Sequence, residues 1–184
     1  MPLPSHKVTV CGIPELPQHS MVGISHVLSI IDTHEPRPAA LDDYFEIEHL
    51  LIRFDDVVAE YPGFEACTRQ HIVKVLEFGE RVHAQPESHV LVHCHAGISR
   101  STAAAAILMC QHAPGHEEEA FLKLLGMRKH GWPNTRMVEF ADDLLKRDGA
   151  LMRGLVAYRK ALLQAKPHLS EVIRNIGRGH ELPA

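Results

Sequence analysis

The sequence predicts an α/β fold: a central, mostly parallel sheet of four to five strands flanked by helices, with a helical C-terminal half. Two observations carry this. The first half holds four short apolar segments between Pro/Gly breaks, and the third and fourth are separated by a helix-period stretch, which implies a parallel crossover. The second half reads as consecutive helices.

The candidate strands are Val8 to Cys11, His26 to Ile31, Leu50 to Phe54 and His89 to His93. The second ends at Asp32 before Pro36-Arg37-Pro38, the third at Asp55-Asp56, and the fourth is β-branched and apolar. Between the third and fourth, Gln70 to His83 places Ile72, Val75, Leu76, Gly79 and Val82 on one face and Arg69, Lys74, Glu77 and Arg81 outside. Ser101 to His112 is an Ala-rich helix stopped by Pro114-Gly115. Glu117 to Lys129 is amphipathic through Ala120, Phe121, Leu124 and Leu125. Asn134 is a plausible N-cap for Thr135 to Arg147, with a core stripe of Val138, Ala141, Leu144 and Leu145, and Leu151 to Ala165 follows until Pro167. After His168 the sequence reads as a weak helix and a tail through Gly177-Arg178-Gly179. With no linker or repeat dividing it, the chain reads as one domain over 1–184, with a core of about 5–150 and a helical extension over 151–184 whose purpose the sequence does not disclose.

Composition narrows function. The 184 residues carry 19 Lys+Arg against 23 Asp+Glu, so 19 − 23 gives a formal charge of −4, with 45% hydrophobic and 23% charged residues. Disordered and fibrous classes drop out. A pI near 6.4 without a basic run argues against nucleic acid and against an anionic membrane as partners. The longest apolar stretch, Ala103 to Cys110, is too short to span a bilayer, and prolines 2, 4, 14 and 17 interrupt the region where a secretory signal would lie, so a cytoplasmic location is expected. Cys11, Cys67, Cys94 and Cys110 are too few for a disulfide scaffold and form no CxxC pair. The 15 histidines show no strong zinc spacing. No metal or other cofactor is expected.

Chemistry concentrates in His93-Cys94-His95-Ala96-Gly97-Ile98-Ser99-Arg100-Ser101, where a buried strand gives way to the Ala-rich helix. A loop there turns backbone N–H groups inward, and the helix N-terminus adds partial positive charge, which suits an anion. Gly97 permits a tight turn, and Arg100 offers a planar fork matching two phosphoryl oxygens. The positive field favours a thiolate at Cys94, a potent nucleophile. Cys11, Cys67 and Cys110 lack such company and read as ordinary thiols. A His93-Cys94-His95 metal site finds no further ligands at readable spacing, and the other histidines, His112 and His116 among them, read as solvent-facing.

The pattern His-Cys-x-x-Gly-x-x-Arg-Ser, with Cys-x5-Arg at 94 and 100, resembles the signature loop of the cysteine-dependent protein tyrosine phosphatases. Gly97-Ile98-Ser99-Arg100-Ser101 is most like the dual-specificity branch. Gly23-Ile24-Ser25-His26-Val27-Leu28 and Pro133-Asn134 extend the resemblance, which covers roughly residues 5 to 150 in element order. It implies a metal-independent phosphomonoester hydrolase acting through a cysteinyl-phosphate on Cys94. His95, Ala96, Gly97, Ile98, Ser99 and Arg100 would then bind the phosphoryl group, Ser101 would hydrogen-bond the sulfur, and His93 would order the loop. The general acid expected from the resemblance is an Asp after the strand preceding the crossover helix. Alternation along Ile52, Phe54 and Asp56 favours Asp56, with Asp55 second and Glu60 more remote, although the 38 residues to Cys94 exceed the usual family interval. The bland reading of Asp55-Asp56 is a solvated turn, and that of Asn134 an N-cap with loop contact secondary. The implied substrate is protein phosphotyrosine, with phosphoserine and phosphothreonine as extensions. Alternatives are a non-protein substrate (an inositol phosphate, phosphoinositide or RNA 5′-phosphate), disfavoured because the loop holds no Lys, and a phosphate-binding module without catalysis, disfavoured because nucleophile and Arg are both present.

Overall fold

The structure, a computed structural model, describes residues 3, 6–85 and 87–183. Residue 5, the expected start of the core, lies outside the described residues.

Four strands form one parallel sheet: β1 (Lys7–Gly12), β2 (His26–Ile31), β3 (Glu48–Arg53) and β4 (His89–Cys94), in the order β1-β4-β2-β3. No fifth strand joins it among the described residues, and the sheet is parallel throughout rather than mostly so. Both central strands, β2 and β4, are buried along their whole length, as two-sided parallel strands must be. Alternation divides their side chains. Leu28, Ile30, Val90 and Val92 enter a large core with the helices, while Val27 and Leu91 meet Cys11, Leu16, Leu41 and Tyr44 on the other face. Two short 3₁₀ turns that the sequence reading did not expect, Ile13–His19 and Ala39–Asp43, bring Leu16 and Leu41 to cover that second face.

Helix α1 (Arg69–Ala84) carries the chain from edge strand β3 over to central β4, the parallel crossover implied by its periodicity. It buries Ile72, Val75, Phe78, Gly79 and Val82, with Leu76 at the border. All twelve residues of α2 (Arg100–Gln111) are buried, for which its run of four alanines is suited: small side chains let sheet and helices approach it from several sides. Helices α3 (Glu117–Met127) and α4 (Thr135–Leu144) bury the expected Phe121, Leu124, Val138 and Ala141. Helix α5 (Ala150–Ala165) places Leu151, Leu155, Tyr158 and Leu162 in the same core, and α6 (Leu169–Asn175) adds Ile173. Residues after 150 therefore share the core of the sheet.

One expectation fails in part. Histidines outside the signature stretch were to face solvent, yet His26 and His89 are buried, and the half-buried His112 stacks on His83 at 3.8 Å between centroids. Burial pushes the pKa of His26, His89 and His112 down, so these rings serve as neutral packing and hydrogen-bonding groups. Thr9 Oγ1, for example, lies 2.8 Å from His89 Nε2.

Candidate active site

The loop from His95 to Ser99 joins β4 to α2 at the end of the sheet where β1 also terminates, Gly12 pairing in register with Cys94. Its shape is set by where its carbonyls go. Five in succession turn outward and accept hydrogen bonds: His95 from Ile13 N (2.9 Å), Ala96 from Arg128 Nη2 (2.9 Å), Gly97 from Arg128 Nε (3.0 Å), Ile98 from Trp132 N (2.8 Å) and Ser99 from Asn134 N (3.2 Å). None of the amides of residues 95–99 donates to an acceptor among the described residues. With the carbonyls engaged elsewhere, these amides are left as uncommitted donors in the loop that follows Cys94.

Gly97 is what permits this turn. Its φ is +68°, and a Cβ there would come within 2.6 Å of the Cys11 carbonyl carbon and 2.7 Å of Gly12 N. Gly12 answers from β1: a Cβ on it would meet His95 O at 2.8 Å. Strand and loop thus touch backbone to backbone.

Cys94 is 2% exposed and forms the floor of a pocket of about 480 Å³. Its sulfur lies 3.2 Å from Ser101 Oγ. The other three cysteines are also free and buried, but burial raises Cys11 and Cys67 to about 12 and pushes Cys110 up as well, which leaves them unreactive thiols.

Arg100 is 2% exposed, and its guanidinium is held from one side only. Nη1 donates to Phe54 O and to Asp32 Oδ1, both at 2.6 Å, while Nε is buried without a hydrogen-bond partner. A buried, charged donor left unsatisfied costs free energy that an incoming oxyanion would recover.

The carboxylates separate cleanly. Asp56 lines the pocket, its Oδ1 accepting from Ser99 Oγ (2.7 Å) and Asn134 Nδ2 (3.0 Å), with Oδ2 3.9 Å from Arg100 Nε. Asp55 is absorbed by the loop that follows β3, accepting from Glu65 N (2.7 Å) and Thr33 N (3.5 Å). Glu60 pairs with Arg136 at 3.0 Å and lines a different pocket. The 38-residue interval is accounted for by the extended loop between Arg53 and Arg69, which folds on itself through these bonds. Asn134 is both cap and bridge: Oδ1 accepts from Met137 N at 3.2 Å while Nδ2 holds Asp56 and Val57 O.

His93 is fully buried, its Nε2 2.5 Å from Ser29 Oγ, its partner in the β2–β4 register; Ser29 Oγ in turn lies 2.8 Å from His49 Nε2. Burial drives its pKa to about 4, so it orders the strand end as a neutral ring. His95 lies near the pocket mouth with Nε2 3.5 Å from Asp32.

Several residues at the site escaped the sequence reading. Asp32 looked like a strand terminator, and its contact with Arg100 follows from β2 and β4 being neighbours. Arg128 braces two loop carbonyls and is itself fixed by the Glu15 carboxylate at 2.8 and 2.9 Å. From the C-terminal extension, Leu169, Val172, Ile173, Ile176 and Arg178 line the pocket, and Arg178 Nη1 donates to Ser99 Oγ at 3.2 Å. No local spacing in the sequence signals any of these. Among the described residues, no cluster of three or more metal-ligating side chains occurs, and no helix is long and apolar enough to cross a membrane.

Residues 62–131 match the profile of the family described as protein-tyrosine phosphatase. No curated protein matches the chain by sequence. Among solved structures, human DUSP28 superposes with a TM-score of 0.58 at 16% identity, covering 78% of this chain and 94% of its own. Tk-PTP in its active form gives 0.54 at 19% identity, covering 77% and 92%. PTPMT1 in complex with PI(5)P gives 0.54 at 18% identity, covering 78% and 93%. Residues 62–131, which include the loop around Cys94, are thus similar to the protein-tyrosine phosphatase family, and the chain shares its fold with these structures.

Proposed function

We propose that this site hydrolyses phosphomonoesters through a cysteinyl-phosphate, with phosphotyrosine of proteins as the substrate and phosphoserine and phosphothreonine as extensions. One observation supports the reading: the amides of residues 95–99 donate to no acceptor among the described residues and Arg100 Nε lacks a hydrogen-bond partner, while His95, Ala96, Ile98, Ser99 and Arg100 line one pocket with the buried Cys94.

In the first step the Cys94 sulfur attacks phosphorus. The S–P bond forms as the P–O bond to the leaving group breaks, and Asp56 gives its proton to the departing oxygen. The loop amides and Arg100 hold the three equatorial oxygens, where charge is spread in the transition state. In the second step water attacks phosphorus from the vacated side, Asp56 takes the water proton, and the S–P bond breaks. Ser101 Oγ, 3.2 Å from the sulfur, hydrogen-bonds the thiolate as it leaves with inorganic phosphate as product. Asp56 suits both proton transfers because Ser99 and Asn134 fix one oxygen and leave the other toward the cradle.

Substrates with several phosphates are served less well. The cations lining the pocket are Arg100 and Arg178, and the latter is paired with Glu181 at 2.5 Å. The test is turnover of p-nitrophenyl phosphate in the presence of EDTA. Metal-independent hydrolysis that disappears in Cys94→Ser is the expected result; an intact chain without turnover, or a Cys94→Ser variant that retains it, refutes the assignment.

A further inference from the structure

The pocket over Cys94 has two ends, and only one is built for phosphate. Apart from the cradle, Trp132, Leu169, Val172, Ile173 and Ile176 line the same cavity, together with the side chain of Ile98 from the loop itself. Trp132 and Ile173 are buried, while Ile98, Val172 and Ile176 are 38%, 47% and 58% exposed. Three half-exposed aliphatic side chains from two distant segments converging on one cavity is not the usual scatter of surface hydrophobics.

The wall is held in place. Glu181 anchors the segment that follows α6, its carboxylate accepting from Trp132 Nε1 (2.8 Å), Arg178 Nε (2.5 Å), Arg159 Nη2 (3.1 Å) and Thr135 Oγ1. Arg178, bound to Glu181 and to Ser99 Oγ, ties the segment directly to the phosphate loop. The volume of about 480 Å³ lies within the range of about 300–1,000 Å³ found for sites of drug-sized ligands, larger than one phosphorylated ring requires. All of α6 lies outside residues 62–131, so four of the six wall residues, Leu169, Val172, Ile173 and Ile176, come from the chain's own extension.

We propose that α6 makes this a site for aryl phosphates whose apolar surface extends beyond the first ring, with Val172 and Ile176 as specificity-determining residues. This rests on the phosphatase reading above and adds the identity of the group that the phosphate is carried on. Among the described residues a second anionic group finds no free Lys or Arg on this wall, because Arg178 is engaged by Glu181; an apolar group finds aliphatic surface.

Phenyl phosphate and 4-biphenylyl phosphate, whose phenols have similar acidity, separate binding of the second ring from leaving-group chemistry. The intact chain should show a KM for the biphenylyl ester lower by about tenfold, the effect of taking roughly 55 Å² of apolar surface out of water. Val172→Ser with Ile176→Ser should reduce that ratio toward one, and Ile176→Trp should reduce it by occupying the space. Val156→Ser, at an exposed position on α5 away from the pocket, should leave the ratio as it is. Equal KM values for the two esters in the intact chain, or a ratio that survives both the serine pair and the tryptophan, overturns the proposal. Preference for octyl phosphate over the biphenylyl ester also overturns it, in favour of a flexible alkyl chain. Failure to turn over either aryl ester speaks instead against the phosphatase assignment.

Discussion

The cradle end and the wall end of the pocket are made from different materials. The cradle is backbone: five carbonyls turned outward, five amides left over and a glycine whose φ of +68° no other residue adopts without strain, all within residues 93–101. The wall is side chains delivered by α6, Ile176, Trp132 and Ile98, and its position depends on Glu181 satisfying donors from residues 132, 135, 159 and 178. A backbone device fails when local conformation is disturbed; a side-chain device fails when distant packing is disturbed.

That contrast yields predictions of decreasing size. Gly97→Ala should be the most damaging change, because its Cβ would sit 2.6 Å from backbone of β1 that cannot move aside. A loss of about 3 kcal/mol or more in urea unfolding, together with collapse of p-nitrophenyl phosphate turnover, is expected. Retained stability would show that the loop, not the strand contact, sets the turn. Asp56→Asn should lower kcat for phenyl phosphate by roughly 100-fold, the lower end of general acid–base contributions. Asp55→Asn should act mainly on stability through the Glu65 contact, and the opposite ranking in kcat would move the proton donor to Asp55.

Glu181 gives the wall a pH signature. Burial by itself would raise its pKa, but hydrogen bonds from Arg178 and Thr135 and the fields of Arg159 and Arg178 outweigh that and hold it at about 2, against 4.5 for an ordinary Glu. A depressed carboxyl stabilises the fold fully above the unfolded value and loses that contribution as pH falls from about 4.5 toward 2. The contribution is on the order of 3 kcal/mol. Unfolding free energies of wild type and Glu181→Gln should therefore differ at neutral pH and converge toward pH 2; a constant gap would mean the carboxylate charge is not what anchors the wall. Arg128→Ala, which frees two loop carbonyls, should cost about 1–3 kcal/mol and lower kcat more than it raises KM. Asp32→Asn is expected to be the mildest, since Phe54 O continues to hold Arg100 Nη1. A modest rise in KM for p-nitrophenyl phosphate is its readout.

Legibility in the sequence followed the same division. The elements were placed to within a few residues because each one's pattern is its own: β2 and β4 read as continuous apolar runs since both faces are covered, and α1 showed its 3.6-residue period. Alternation points to Asp56 over Asp55, but β3 ends at Arg53, and it is the Ser99 and Asn134 contacts that hold Asp56 at the pocket. The burial of His89 is not legible in the sequence because a buried neutral imidazole depends on a partner such as Thr9 in a neighbouring strand, which strand order alone supplies.

The sequence by itself determined the α/β class, the order of strands and helices along the chain, and the nine-residue loop, because in each the decisive groups are neighbours along the backbone. Only the tertiary structure decided that Asp32 braces Arg100, that Arg128 holds the carbonyls of residues 96 and 97, and that Arg178 meets Ser99 across 79 residues to close an apolar wall over the site. Such contacts arise where packed elements meet, and their sequence separation carries no period or motif from which the meeting could be read.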